Sequence, residues 1–421
     1  MENQRFLGII GVEASGRRRF CKGCAMGRLT IGQFSESFPP LMDGVGFVVK
    51  NYTELLKDRG HEVHAVVSGA YADEGYAYDR QHGIDYTIRA SMVPVPGINP
   101  YGVVMQGRKF RTLVDEIPFD IIHTHAPFFL ARYAEKLAKV RHIPLVTTFH
   151  TLYKDDFMGF THSKHITEHL TRMILRHYRA ADAVWTTTEW SKKKLHEYGF
   201  DGEVTVMRNG CDMLVPSAEA YAAYRAAGRA SLGLSGQRPL LIYVGQLKVE
   251  KNLKLTVEAL GIAHARNADF HMVFVGTGPD RTLLENLVEE RKLQDMVTFT
   301  GKIMDREKLK TMLAASDLFL FPSQYDTSSL VMQEAAAFGV PLLNTEGSGT
   351  AAVTDRDVNG FITKNDPLSY ADRLMQLLGD MALVKDAGNR ARKTIYRHWS
   401  TVVDEVESRY LELHARHAGR S

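Results

Sequence analysis

Cysteine is nearly absent from this chain: three residues in 421, at positions 21, 24 and 211. So few thiols exclude a disulfide-stapled scaffold and agree with a reducing, cytoplasmic setting. Cys21 and Cys24 form a CxxC, but no second pair or neighbouring histidine completes a zinc site, and Cys211 stands alone. The pair reads as free thiols. A long apolar run is missing too, so no segment reads as membrane-spanning. The short run Phe6 to Val12 has most of its arginines on the wrong side for a secretory signal, and residues 1–25 are expected to be a disordered leader, with Met26 opening the first strand. Strong charge is lacking as well. The net balance of +3 is too weak for nucleic-acid binding, and no nucleic-acid partner is expected.

What is present suits a large two-domain enzyme. With 44% hydrophobic and 24% charged residues, the chain can bury two ordinary cores. Short apolar runs alternate with helical patterns in two arrays. LTIGQF, VHAVV, FDIIHTH, PLVTTFH and AVWTTT belong to the first, with helices expected over Val48–Arg59, Phe128–Val140 and His165–Arg179. PLLIYVG, FHMVFVG, MVTFTG, LFLFPS and VPLLN belong to the second. Each array reads as a doubly wound parallel α/β sheet, with a boundary near the turn-rich RNGCDMLVPS. Residues 1–210 carry 27 Lys/Arg against 23 Asp/Glu and twelve of the seventeen histidines. This excess suits a first domain that meets an anionic surface or acceptor.

The most informative stretch is FPSQYDTSSLVMQEAAAFGVP, from Phe321 to Pro341. Four N-capping residues, Asp326 to Ser329, precede a helix expected over Leu330–Phe338, and Gly339 and Pro341 stop it. A helix start at the end of a parallel strand attracts anions through its free N–H groups and dipole. Glu334, a turn inside, is placed to accept hydrogen bonds from sugar hydroxyls. The combination suggests a nucleotide-sugar site.

Asp326 and Glu334 have the spacing of the acidic-x7-Glu motif, and the stretch resembles that signature of retaining GT-B glycosyltransferases. The resemblance runs over roughly residues 27–395. It departs at Asp326, where the family usually has Glu, and at Ser328-Ser329, where Phe-Gly is common. It implies two Rossmann-like domains facing a cleft, 26–212 on the acceptor side and 213–395 on the donor side. Residues 396–421 are expected as a helix returning to the first domain.

The resemblance also implies roles for individual residues. Asp326 contacts the transferred sugar, Ser328, Ser329, Leu330 and Val331 contact the donor, and Glu334 holds the ribose. FPPLMDGVGFVVKNYTELL resembles the family's opening glycine loop, so Gly44 and Gly46 are expected near the donor diphosphate. His150, just past an apolar strand, lies beside the transferred sugar and is expected to donate a hydrogen bond to it. In IYVGQLKVEKNLKLTVEAL, Lys251 matches the phosphate-binding lysine. Gln246 stands where an arginine is usual, and Lys248 is nearby to compensate. Gly276 is placed in the donor site.

Other matches are set aside. Arg281 occupies the third glycine position of a dinucleotide fingerprint begun by Gly276 and Gly278, which excludes NAD. Asp355-Arg356-Asp357 reads as surface charge in a turn, and His162, His165 and His169 on one face, like His123 and His125 on another, have no carboxylate partner in sequence. No metal and no cofactor beyond the donor substrate is expected. The stretch IIHTHAPFFLARYAEKLAKVRHIPLVTTFHTLYKDDF looks most like the branch acting on diacylglycerol lipids. That likeness implies UDP-glucose as donor, a lipid acceptor, and a peripheral position on an anionic cytoplasmic membrane face. Transfer from GDP-mannose, a glycan acceptor in a polysaccharide pathway, and a catalytically weakened scaffold motivated by Gln246 are alternatives. So are an epimerase, and a phosphorylase, which would need a pyridoxal lysine.

Overall fold

A computed structural model describes residues 27–419 except 42, 70–71, 96–101, 235 and 237. The leader at 1–25, Met26 and the Cys21/Cys24 pair lie outside the described residues. Among the described residues the first strand begins at Thr30.

Two sheets organise the chain. The first contains β1 (Thr30–Ser35), β2 (Glu62–Ser68), β3 (Thr87–Pro94), β4 (Gly102–Met105), β5 (Ile121–Thr124), β6 (Leu145–Phe149), β7 (Ala183–Thr186) and β8 (Val204–Val206). Its order is β4-β3-β2-β1-β5-β6-β7-β8, parallel except for the β3–β4 pair. The second contains β9 (Leu240–Val244), β10 (His271–Val275), β11 (Val297–Gly301), β12 (Leu318–Phe321), β13 (Leu342–Thr345) and β14 (Phe361–Thr363), in the order β11-β10-β9-β12-β13-β14, all parallel. The central strands are buried on both faces, which is why they read as continuous apolar runs. Each sheet reverses its winding direction at one place, β1/β5 and β9/β12, and crevices for ligands form outside the carboxyl ends of strands at such places.

The chain crosses between domains twice, and the crossings are tied together. Cys211 donates its N–H to the Arg397 carbonyl at 2.9 Å, and its own carbonyl accepts from the Trp399 N–H at 3.2 Å. The last helix, Trp399–Ala418, then lies on the first domain. Trp399, Val402, Val403, Val406 and Tyr410 share a core with Leu29, Ile31, Val48, Tyr52 and Trp185. Each such buried side chain contributes roughly 1.5–3 kcal/mol. Beside this core, Glu407 accepts from Arg59 at 3.1 Å and faces His61 at 3.0 Å.

Candidate functional site

The loop after β12 is the meeting place of the two domains. Phe319 and Phe321 are buried in the second core, which fixes where the loop leaves the sheet. Thr327 donates its hydroxyl to the His150 carbonyl at 2.7 Å, and Tyr325 donates to Asp156 Oδ1 at 2.6 Å. Asn209 reaches the Ser328 carbonyl at 3.3 Å, and the Trp190 indole N–H reaches the Gly347 carbonyl at 3.0 Å. His150, at the carboxyl end of β6, is thereby set against the motif of the other domain.

Lys251 and Asp326 lie 75 residues apart and meet at 2.6 Å, with 18% and 15% of their side chains exposed. The short helical turn Val249–Lys251 after β9 delivers the lysine, and Asn252, in the left-handed region at φ 58°, starts the helix Leu253–Ala265. Asp326 Oδ2 is buried without a hydrogen-bond partner, so this carboxylate depends on Lys251. The ammonium also sits 5.7 Å from the centre of the Tyr325 ring. The geometry puts a cation beside a helix start, and both suit a departing phosphate.

The motif helix runs Leu330–Ala337, with Ser329 as an N-cap whose side chain makes no capping bond. Its first-turn N–H groups at Leu330 and Val331 have no intrahelical acceptor and no other partner among the described residues. Glu334, one turn along, is 8% exposed and accepts from Arg306 Nη1 at 2.8 Å. Burial raises its pKa, and the Arg306 charge partly offsets that. Arg306 was not identified from the sequence. Its only local signal is Asp305, the N-cap that places it at a helix start.

The glycines divide by role. Gly44 opens the helix Gly44–Asp58 with free space around it. The Gly46 N–H is already taken by Asp43 Oδ1 at 2.7 Å, so a donor contact there must displace the cap. Gly276 has a packing reason: a Cβ would stand 1.9 Å from the Gly245 carbonyl, at φ +143°. Gly278 likewise lets its loop touch the Leu247 carbonyl, where a Cβ would come to 2.2 Å. These approaches hold the loops after β9 and β10 together. Gln246 and Lys248 on the first of them are exposed.

Burial pushes His150 down to about 4, so its ring is neutral at ordinary pH. Just past the carboxyl end of β1, two strands away, Glu36 Oε1 accepts the Leu130 N–H at 2.8 Å, while Oε2 is buried without a partner. Burial raises Glu36 to about 7 despite its backbone donors. Asp357, from the rejected acidic triplet, pairs with Arg373, and His162, His165 and His169 are exposed. Among the described residues no three His, Cys, Asp or Glu side chains are grouped to hold a metal ion.

A groove of about 720 Å³ lies at the β4 edge of the first sheet. Arg111, Arg132 and Lys136 line it together with Met105, Phe129 and Val140. The three apolar side chains are 52%, 38% and 68% exposed. Phe129 adjoins Leu130, which binds Glu36, so one end of the groove reaches the carboxyl edge of the sheet.

Residues 225–394 match the family model described as Glycosyl transferases group 1, and residues 42–213 match Glycosyltransferase Family 4. N-acetyl-alpha-D-glucosaminyl L-malate synthase of Bacillus anthracis is 25% identical over 391 residues, covering 89% of this chain and 95% of the relative. Alpha-monoglucosyldiacylglycerol synthase of Acholeplasma laidlawii is 24% identical over 354 residues, covering 81% and 86%. In fold the chain is similar to sucrose-phosphate synthase from Thermosynechococcus elongatus, with a TM-score of 0.73 at 21% identity, covering 92% of this chain and 100% of that one.

Proposed function

The chain belongs to the group 1 GT-B glycosyltransferases, and from that premise we propose that it transfers glucose from UDP-glucose, with retention, to the hydroxyl of a membrane lipid such as diacylglycerol. The observation that carries the transfer reading is the Lys251–Asp326 pair in the loop that leads into the motif helix, where the next residue, Thr327, bonds the His150 carbonyl across the domain junction. The nucleotide diphosphate leaves the anomeric carbon as the sugar gains oxocarbenium character. Lys251 and the Leu330 and Val331 N–H groups stabilise the negative charge that develops on the leaving phosphate. The acceptor oxygen bonds to the same face, and its proton passes to the departing phosphate oxygen. Asp326 and His150 orient the sugar, and Glu334, held by Arg306, accepts from the ribose hydroxyls.

The lipid part of the reading is supported by the groove beside β4. Its cations suit anionic headgroups and its exposed apolar side chains suit acyl chains, on the domain expected to hold the acceptor. The Acholeplasma laidlawii relative carries a diacylglycerol product in its name, and the Bacillus anthracis relative carries malate, so the two names alone favour no single acceptor. The test is incubation with UDP-glucose and vesicles of diacylglycerol in anionic phospholipid, followed by mass spectrometry and anomeric proton NMR. An α-glucosyl lipid is expected. Transfer to water-soluble acceptors but not to the vesicles would refute the lipid reading.

A further inference from the structure

Behind His150 runs a continuous chain of side-chain hydrogen bonds that reaches the last helix. His150 Nε2 meets His125 Nδ1 at 3.1 Å, and His125 Nε2 meets Gln33 Oε1 at 2.7 Å. Gln33 Nε2 donates to the Tyr410 hydroxyl at 3.0 Å, and that hydroxyl meets His123 Nδ1 at 2.5 Å. His123 Nε2 ends the chain on Thr148 Oγ1 at 2.7 Å. Gln33, His123, His125 and Tyr410 have no exposed surface, and Tyr52 and Trp185 close around the two histidine rings.

Each link constrains the next. Burial holds His123 and His125 well below their ordinary pKa, so each ring carries a single proton. With the Gln33 carbonyl oxygen turned toward His125, that oxygen can only accept, which puts the His125 proton on Nε2 and leaves Nδ1 as an acceptor. The hydrogen between His125 and His150 therefore belongs to His150 Nε2, and His150 Nδ1 is left with a lone pair. At the far end the Tyr410 oxygen takes the Gln33 N–H and passes its own hydrogen to His123 Nδ1, leaving Nε2–H for Thr148. Turning the Gln33 amide over reverses every link together. A mixed sense would strand a buried donor or acceptor, at a cost of about 1–3 kcal/mol.

We propose that this chain is a positioning device that locks the tautomers of His123, His125 and His150 to one another through Tyr410, on the helix returning from the second domain, and that it stands in the sense with Gln33 Oε1 toward His125, which makes His150 the Nε2–H tautomer, so that Nδ1 accepts a hydrogen bond from a hydroxyl of the transferred sugar. The inference rests on the reading of His150 as a sugar-contacting residue, and it reverses the donating role expected from the sequence. It makes Gln33, His125 and Tyr410 positioning residues, none of which touches substrate.

The test uses the full chain with 15N-labelled histidine and long-range proton–nitrogen correlation spectra, assigned with His150→Ala. The expected wild-type spectrum has a protonated Nε2 and a bare Nδ1 at His150. Tyr410→Phe keeps the ring stacked on Trp185, at 5.6 Å and 12°, but removes the hydroxyl. It is expected to mix the two His150 tautomers and to lower kcat with UDP-glucose about tenfold, with KM changed less. Thr148→Val loosens the other end and is expected to act in the same direction, which provides a second variant if Tyr410→Phe folds poorly. A protonated Nδ1 in wild type, or a His150 tautomer unchanged in a folded variant, would overturn the proposal. The tautomer is read without donor, so failure to find glucosyl transfer would count against the functional reading alone.

Discussion

Replacing Lys251 with methionine keeps most of the side-chain volume and removes its charge. At about 4 Å between charge centres and an effective dielectric near 20, attraction to Asp326 is about 4 kcal/mol. Desolvation of both groups offsets much of that, but deleting one partner of a buried pair typically costs 3–5 kcal/mol, because the other charge is left unpaired. Asp326 already has one oxygen buried without a partner, and both side chains keep less than a fifth of their exposure. We expect Lys251→Met to cost roughly 2–3 kcal/mol in urea denaturation, and to lower kcat/KM on UDP-glucose by about 10²–10³ through lost phosphate stabilisation. The double variant Lys251→Met/Asp326→Asn separates the two effects. With the stranded charge gone it should recover most of the stability and none of the turnover. Recovery of turnover in the double variant would refute the phosphate role and make Lys251 a structural counter-ion. Unchanged stability in the single variant would refute the dependence of Asp326 on it.

Three further outcomes follow from the geometry. Glu334→Gln is expected to weaken nucleotide affinity by calorimetry about tenfold, near 1.4 kcal/mol, while Arg306 keeps Asp212 as a partner. Glu36→Gln retains the acceptor for the Leu130 N–H but removes a titration. Because the folded carboxyl titrates near 7 rather than 4.5, the wild type binds the extra proton when folded and loses stability as pH rises from 4.5 through 7. The variant should therefore gain on the wild type by up to about 3 kcal/mol between pH 5 and pH 8 in urea titrations, and an unchanged difference would contradict the burial argument. Gly276→Ala places a Cβ against the Gly245 carbonyl, so thermal stability and donor affinity are expected to fall together. Loss of affinity at full stability would point to a direct donor contact instead.

The two sheets were legible because their central strands are buried on both faces and read as unbroken apolar runs. β3 was hidden by Arg89, whose charge is neutralised in the core by Asp79 at 2.6 Å, a partner ten residues away on a helix. β4, β8 and β14 are short edge strands with partly exposed side chains, so they carry no unbroken apolar run. In the site, strand ends and the helix start could be read because they are local. The pairings could not: Lys251 with Asp326 and Arg306 with Glu334 form only once the second domain folds, and Gln33 with Tyr410, 377 residues apart, only once the crossover helix docks. His123 and His125 were seen to share a face and set aside for lack of a carboxylate partner. Their partners turned out to be neutral: an amide, a phenol, a threonine hydroxyl and another imidazole.

The central claim is that the motif helix and Lys251 form a nucleotide-sugar site. It is tested most directly by calorimetry with UDP-glucose, GDP-mannose and ADP-glucose, each measured on the wild type and on Glu334→Ala. Selective binding of UDP-glucose, lost in the variant, is the predicted result. Absence of binding to all three by a folded wild-type protein would contradict the account and favour a GT-B scaffold that no longer uses a donor.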